Sequence, residues 1–234
     1  MSFDTKGNAP VAIRVNALHK CFQIYATPGQ RLRQFVLPRV RRWLGLDAAN
    51  YYREFWALRD VSFEIKKGQT VGIIGRNGSG KSTLLQMICG TLHPTQGGIE
   101  VQGRVAALLE LGSGFNPEFT GRENVFFNAG VLGQSEEQTR EKFADIEAFA
   151  DIGDFMDQPV KTYSSGMRSK FSFAVSMAFD FDIYLTDEIT SVGDARFKQK
   201  CIDTFNQKRE TASLIMVSHD MKNLRQQCDM GILL

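Results

Sequence analysis

The sequence predicts an α/β fold with a mostly parallel core sheet, and three observations predict it. Short apolar runs at 70–74, 181–185 and 214–217 have the length and composition of buried strands. Strand-like runs alternate with loops and helical patterns along the chain, the order of parallel-sheet proteins. The first apolar run leads straight into Gly75-Arg76-Asn77-Gly78-Ser79-Gly80-Lys81-Ser82, which matches G-x-x-x-x-G-K-[ST] at every fixed position.

Taken in order, residues 11–25 alternate in short stretches that suit an edge strand. Residues 26–55 change character. Between 31 and 53 there are six arginines and one acid, interleaved with Leu32, Phe35, Val36, Leu37, Val40, Trp43 and Leu44. Pro38 is expected to bend or interrupt any helix there. This stretch reads either as a basic amphipathic surface for a membrane or membrane partner, or as an insertion whose apolar face packs on its own domain. Residues 56–66 alternate as a strand, Lys67-Gly68 turns it, and Thr70–Ile74 is a buried strand. Helical pattern runs over 82–89, Thr95–Gly98 reads as a turn, and strand-like segments follow near 99–109. A mostly helical region covers about 122–180, including Arg168–Phe179. Strands at 181–185 and 214–217 follow, and 228–234 stops inside an apparent strand. Such an ending is unusual for a natural domain and points to a shortened chain.

Composition sets the limits. The 234 residues suit one or two domains, and 43% hydrophobic with 23% charged residues is the balance of a soluble globular protein. A formal net charge of +2 does not mark a nucleic-acid partner. Cysteines at 21, 89, 201 and 228 and histidines at 19, 93 and 219 lack metal-ligand spacing. No signal segment opens the chain, and no apolar run approaches the ~20 residues needed to cross a bilayer. The expected place is the cytoplasm, with docking on a membrane left open.

The glycine-rich stretch predicts a nucleotide site. Glycines 75, 78 and 80 let the backbone curl, so that amides around Asn77 and Ser79 point inward at phosphates. The helix start adds partial positive charge. Lys81 supplies a mobile cation for the β/γ-phosphates of ATP. Ser82 offers a hydroxyl to Mg²⁺, and Thr83 adds another near the phosphates. Asp187-Glu188 ends a core strand, where adjacent acids fill a core poorly but hold hydrated Mg²⁺ and poise a water well. Asp187 is the candidate metal contact and Glu188 the base or orienter. His219 follows the 214–217 strand, where a neutral imidazole can bond the γ-phosphate or hold the water. Tyr163-Ser-Ser-Gly-Met167 precedes a helical segment. Ser164, Ser165 and Gly166 there read either as a simple N-cap or as an anion grip.

The stretches GRNGSGKST (75–83), YSSGM (163–167), IYLTDE (183–188), SVGD (191–194) and VSHD (217–220) resemble, in order and spacing, the ATPase subunit of ABC transporters. The resemblance covers about 11–234 as one ATPase domain, with 26–55 as an insertion and about 115–175 as a helical subdomain. It implies a P-loop NTPase fold of the ABC type: a RecA-like core, an antiparallel β subdomain and a helical subdomain. It also implies that Ser164, Ser165 and Gly166 of one copy close over ATP held by a second copy, with the Asp194 loop along the seam. The commoner LSGGQ is altered: Tyr163 replaces leucine, Ser165 the first glycine and Met167 glutamine.

A narrower resemblance, carried by 59–124, by IGDFMDQPVKTYSSGM (152–167) and by SVGD, is to ATPases of bacterial polysaccharide exporters. It implies hydrolysis of ATP to ADP and phosphate at the cytoplasmic face of the inner membrane. The driven step would be export of a lipid-linked polysaccharide through a separate permease dimer. O-antigen, a part of lipopolysaccharide, resembles best; teichoic acid, capsule or a drug-like lipid are the alternatives. Some such exporters carry a C-terminal carbohydrate-binding domain.

Two positions depart from the family. Where many members place a glutamine about 30 residues after the loop lysine, this chain has LLELGSGF, with Glu110 as the stand-in near the metal. The aromatic expected on adenine is Phe22 or Tyr25, Tyr25 before Phe22, and the other reading of either is a core aromatic. Among rivals, a chromosome-type head would need a coiled coil within the 83 residues from Lys81 to Ser164. Ribosome-associated types usually carry two ATPase domains, and a dead interaction module would not keep Lys81, Asp187, Glu188 and His219.

Overall fold

In chain order the elements are β1 (Val11–Ile24), α1 (Pro28–Trp43), β2 (Arg53–Lys66), β3 (Thr70–Ile74), α2 (Lys81–Ile88), β4 (Gln96–Val101) and β5 (Val105–Ala107). They continue with α3 (Gly121–Val131), α4 (Glu136–Ala150), α5 (Ser165–Met177), β6 (Ile183–Asp187), α6 (Ala195–Arg209), β7 (Ser213–Val217) and β8 (Met230–Leu233). This computed structural model describes residues 9–43, 50–107, 114–187, 195–217, 224–225 and 227–234. The chain forms two units, one of 1–12, 65–75 and 102–234, the other of 13–64 and 76–101.

The first unit holds a five-stranded sheet in the order β5-β6-β7-β3-β8, whose paired strands are all parallel. Its strands β3, β6 and β7 are the apolar runs of the sequence, because burial on both faces favours apolar side chains. Val71, Ile73, Ile183, Leu185 and Ile215 are completely buried. The register matters for the site. Asp187 pairs with Val217, and Val217 pairs with Ile73, so the three stand in one row at the carboxyl edge of the sheet.

The helical stretch of this unit is three helices with two short 3-10 turns, Gly153–Asp157 and Val160–Thr162. Sequence chemistry sets two starts. Thr120 with Glu123 opens α3, and Ser135 with Gln138 opens α4, each as a reciprocal capping box. A cluster including Val125, Ile146, Met156, Tyr163, Phe171 and Val175 is the apolar centre of these helices. The loop before α3 is tied by Asn124, which is fully buried. Its amide donates to the carbonyls of Asn116, Phe119 and Thr120, and its oxygen accepts from the Asn116 N–H.

The second unit holds the sheet β2-β1-β4, so β1 is its central strand and not the edge that its alternation implied. Arg14 of β1 bonds Glu64 of β2 at 2.7 Å and reaches Glu100 of β4 at 3.4 Å. Hydrogen bonding to Glu64 holds the guanidinium above its usual range. A strand end at 101 returns to pair with residue 13, a partnership that no local pattern reveals.

Two more expectations are corrected here. Thr95–Gly98 is not a free turn, because β4 already starts at Gln96. The β1–β4 ladder shifts register between Asn16 and His19, and Gly97 lies opposite with φ +78°. A Cβ there would fall 2.1 Å from the Ala17 carbonyl oxygen, so the glycine serves a bulge. Pro38 does not interrupt α1, which runs unbroken from Pro28 to Trp43. The missing N–H removes one bond of the ladder while the turns on either side persist. Pro28 sits at the first helical position, where its lost donor has no helical partner anyway. Gln30 reaches back to accept from the Ala26 N–H at 3.0 Å.

Candidate functional site

The strand β3 ends at Ile74, and the chain turns through Gly75–Gly80 into α2. The turn is closed by the Ser79 N–H donating to the Arg76 carbonyl at 3.1 Å. Gly80 caps α2 in the left-handed region, φ 97°. A Cβ there would lie 2.5 Å from the Ala57 carbonyl oxygen and 2.7 Å from Leu58, so both space and φ demand glycine. Leu84 N–H bonds Gly80 O at 2.9 Å. The amides of Ser82 and Thr83 thus belong to the orphan donors of a helix start.

Within this loop the Lys81 ammonium donates to the Arg76 carbonyl at 2.9 Å. Ser82 is exposed on the first turn of α2 and Thr83 is half-buried. Ser79 Oγ is buried and has no hydrogen-bond partner among the described residues, a cost of about 1–3 kcal/mol unless something answers it. A phosphate oxygen would do so. The glycine cradle, the orphan hydroxyl and the open amides together fit an anionic, phosphate-bearing group.

Asp187 ends β6 at the carboxyl edge, level with Val217 and Ile73. Open parallel sheets bind ligands outside this edge. The chain leaves it at three neighbouring points: after Asp187 towards Glu188, after Val217 towards His219, and after Ile74 into the loop. Glu188, Asp194 and His219 lie outside the described residues, as does Glu110.

The segment 163–167 is built from below. Tyr163 is buried, donates to the Phe155 carbonyl at 2.7 Å, and meets the Phe171 ring edge-on at 5.7 Å. Burial pushes its phenol up to about 12, so it stays a donor at any working pH. Gly121 makes room for it, since a Cβ there would fall 2.3 Å from the Tyr163 hydroxyl. Thus anchored, the chain enters α5 with Ser164 as N-cap, its hydroxyl accepting from the Met167 N–H at 3.2 Å. Helix α5 begins at Ser165, three residues before the helical segment expected from the sequence. Ser164, Ser165 and Gly166 are all exposed. A Cβ on Gly166 would meet nothing nearer than Ser164 Oγ at 4.0 Å. Among the described residues, nothing in this chain's own packing therefore requires glycine at 166.

Phe22 and Tyr25 remain alternatives for the adenine platform. Lys20 stands over the Phe22 ring at 5.1 Å. Tyr25 bonds Gln23 Oε1 at 2.9 Å and meets Tyr52 edge-on at 5.9 Å. Three supporting residues escaped the sequence reading: Arg76, whose carbonyl holds Lys81; Tyr163 as an anchor; and Asn124. A signal existed only for Asn124, a polar residue ahead of an apolar helix face.

Comparison with known proteins agrees with this geometry. A family model described as ABC transporter matches residues 58–191. An O-antigen export system ATP-binding protein, RfbB of Klebsiella pneumoniae, is 43% identical over 93% of this chain and 87% of its own length. A polysialic acid transport ATP-binding protein, KpsT of Escherichia coli, is 46% identical over 76% of this chain and 79% of its own. In fold, the chain superposes with TM-score 0.71 and 19% identity on a dimeric ATP-binding cassette in a post-hydrolysis state bound to ADP and Pi. That match covers 95% of this chain and 94% of the other. On the match of the family model over 58–191 and the identity to RfbB, this chain belongs to the ABC transporter family.

Proposed function

We propose that the chain is the ATP-hydrolysing subunit of a polysaccharide exporter. It would act as a pair of copies on the cytoplasmic face of a bacterial inner membrane. The reaction is ATP + H2O → ADP + phosphate, and the work it drives is passage of a lipid-linked polysaccharide, O-antigen first, through a separate permease dimer. The observation that carries the reading is the loop between β3 and α2, with Gly80 forced by space and Ser79 Oγ unanswered. The relatives support the transport side: RfbB is named for O-antigen export and KpsT for polysialic acid transport. KpsT keeps a capsule-type polymer as the second reading. Among the described residues no helix is long and apolar enough to cross a membrane, which is compatible with a peripheral subunit.

In this reading residues 11–234 act as one ATPase domain, in which 26–55 is an insertion and about 115–175 the helical part. Gly75, Asn77, Gly78, Ser79 and Gly80 turn their backbone to the phosphates, Thr83 adds a hydroxyl, and Phe22 or Tyr25 receives adenine. Lys81 leaves the Arg76 carbonyl for the β/γ-phosphates and balances charge as the γ-phosphoryl departs. Glu188 orients and deprotonates the attacking water, and His219 holds the γ-phosphate in line. A Mg²⁺ ion, for which Ser82, Asp187 and Glu110 are hard oxygen ligands of the right kind, would draw off charge from the phosphates. Ser164, Ser165 and Gly166 reach the ATP of the second copy, and Asp194 links the two sites. The absence of a side chain at Gly166, which its own fold does not require, supports a close approach from outside.

The test is Glu188→Gln. It should keep ATP affinity, lower turnover by at least about a hundredfold, and accumulate an ATP-bound dimer on size exclusion. Rapid steady-state hydrolysis by this variant would remove Glu188 from its role. Undiminished hydrolysis by Lys81→Ala would overturn the loop assignment itself.

A further inference from the structure

The helix α1 carries a feature that nucleotide chemistry does not use. Its segment Pro28–Trp43 contains five arginines and no acid. In the first half of the helix, Leu32 is 67% exposed and Phe35 is 63% exposed. Three residues apart, they lie about 60° from each other around the helix and form one stripe. Arg31 and Arg33, both exposed, stand one residue to either side of Leu32 and border the stripe on both flanks. Tyr25, Pro28, Arg31, Leu32, Gln34 and Phe35 line a hollow of about 490 Å³ along the same surface. Leu32 and Phe35 therefore show most of their apolar surface, a point that the sequence left open.

What covers such a stripe is decided by its margins. A protein groove over Leu32 and Phe35 would bring Arg31 and Arg33 within its rim and would need an anion for each. A bilayer with anionic headgroups supplies anions on both flanks at once, while the acyl boundary takes up the two apolar side chains. Arginine stems are long enough to keep their guanidinium groups among the phosphates while their methylenes lie along the stripe. We propose that α1 lies on the surface of an anionic phospholipid membrane, with Leu32 and Phe35 inserted and Arg31 and Arg33 at the headgroup phosphates. The proposal uses none of the phosphate-loop residues.

Co-sedimentation of the 234-residue chain with vesicles of phosphatidylglycerol and phosphatidylcholine, against pure phosphatidylcholine, tests it. At low salt the chain should partition at least about tenfold more strongly to the anionic vesicles, and salt near ~0.5 M should abolish the difference. Arg31→Gln/Arg33→Gln should weaken binding by about fivefold per arginine. Leu32→Ser/Phe35→Ser should weaken it about tenfold or more, by removing the inserted area. Unchanged melting curves and steady-state ATP turnover exclude misfolding of these surface variants. Equal binding to neutral vesicles, or pelleting indifferent to both double variants, overturns the proposal. Failure to bind either vesicle also overturns it and gives the stripe to a protein groove.

Discussion

Glycine at position 166 separates what the fold needs from what the proposed site needs. In the first turn of α5 it has no positive φ, and a Cβ would meet nothing nearer than 4.0 Å. Glycine there weakens a helix by roughly 0.5–1 kcal/mol relative to alanine. Gly166→Ala should therefore raise the melting temperature by a few degrees while lowering ATP turnover by an order of magnitude or more, if a phosphate must come that close. A melt and a steady-state assay on one preparation check both signs. Turnover unchanged alongside a raised melt would leave the glycine without a role in the site. Gly80 is the opposite case, since its φ and the Ala57 carbonyl at 2.5 Å make it structural first. At this scale the sequence was legible where chemistry is local. The loop spacing and the N-cap at Ser164 follow from a few adjacent residues. The anchor Tyr163 was not legible, because its carbonyl partner Phe155 and its neighbour Gly121 come from separate segments.

At the scale of elements, two helix starts were written in the sequence and strand neighbours were not. The pairs Thr120 with Glu123 and Ser135 with Gln138 stand three residues apart and close capping boxes as such spacing implies. The place of β1 between β2 and β4 depends on chain that returns some eighty residues later, so alternation alone misread it as an edge. The turn expected at 95–98 failed for the same reason, as its glycine answers a bulge on another strand. Asn124 works within one local segment. It holds three carbonyls and one N–H of the loop that leads from the β5 side into α3. Asn124→Ala would leave those groups short of partners inside the fold, and should lower stability by about 2–4 kcal/mol. Denaturant unfolding measures the loss, and new proteolytic nicks within 114–120 would locate it. A stability within about 0.5 kcal/mol of the parent would mean that water replaces the amide at no cost.

At the scale of the whole molecule, the proposed function assigns loop and signature to different copies. A symmetric pair puts each composite site at an interface where both copies contribute unlike halves, twice over. Lys81→Ala removes the phosphate half and Gly166→Arg blocks the signature half, so each variant alone should be inactive. Their mixture should not be. In a mixed pair, one site joins the lysine-less loop of the first chain to the blocked signature of the second and stays dead. The other joins the intact loop of the second chain to the intact signature of the first. Random exchange makes half of the pairs mixed, with one sound site in two, so turnover should return to at most about a quarter of the parent value. Strict coupling between sites would lower that ceiling, and an added excess of either variant should shift it by mass action. If each chain completed its own site, neither mixing ratio nor time would restore any hydrolysis. Sites that form within one chain would then have to explain why Gly166 is bare on a surface that its own packing leaves open.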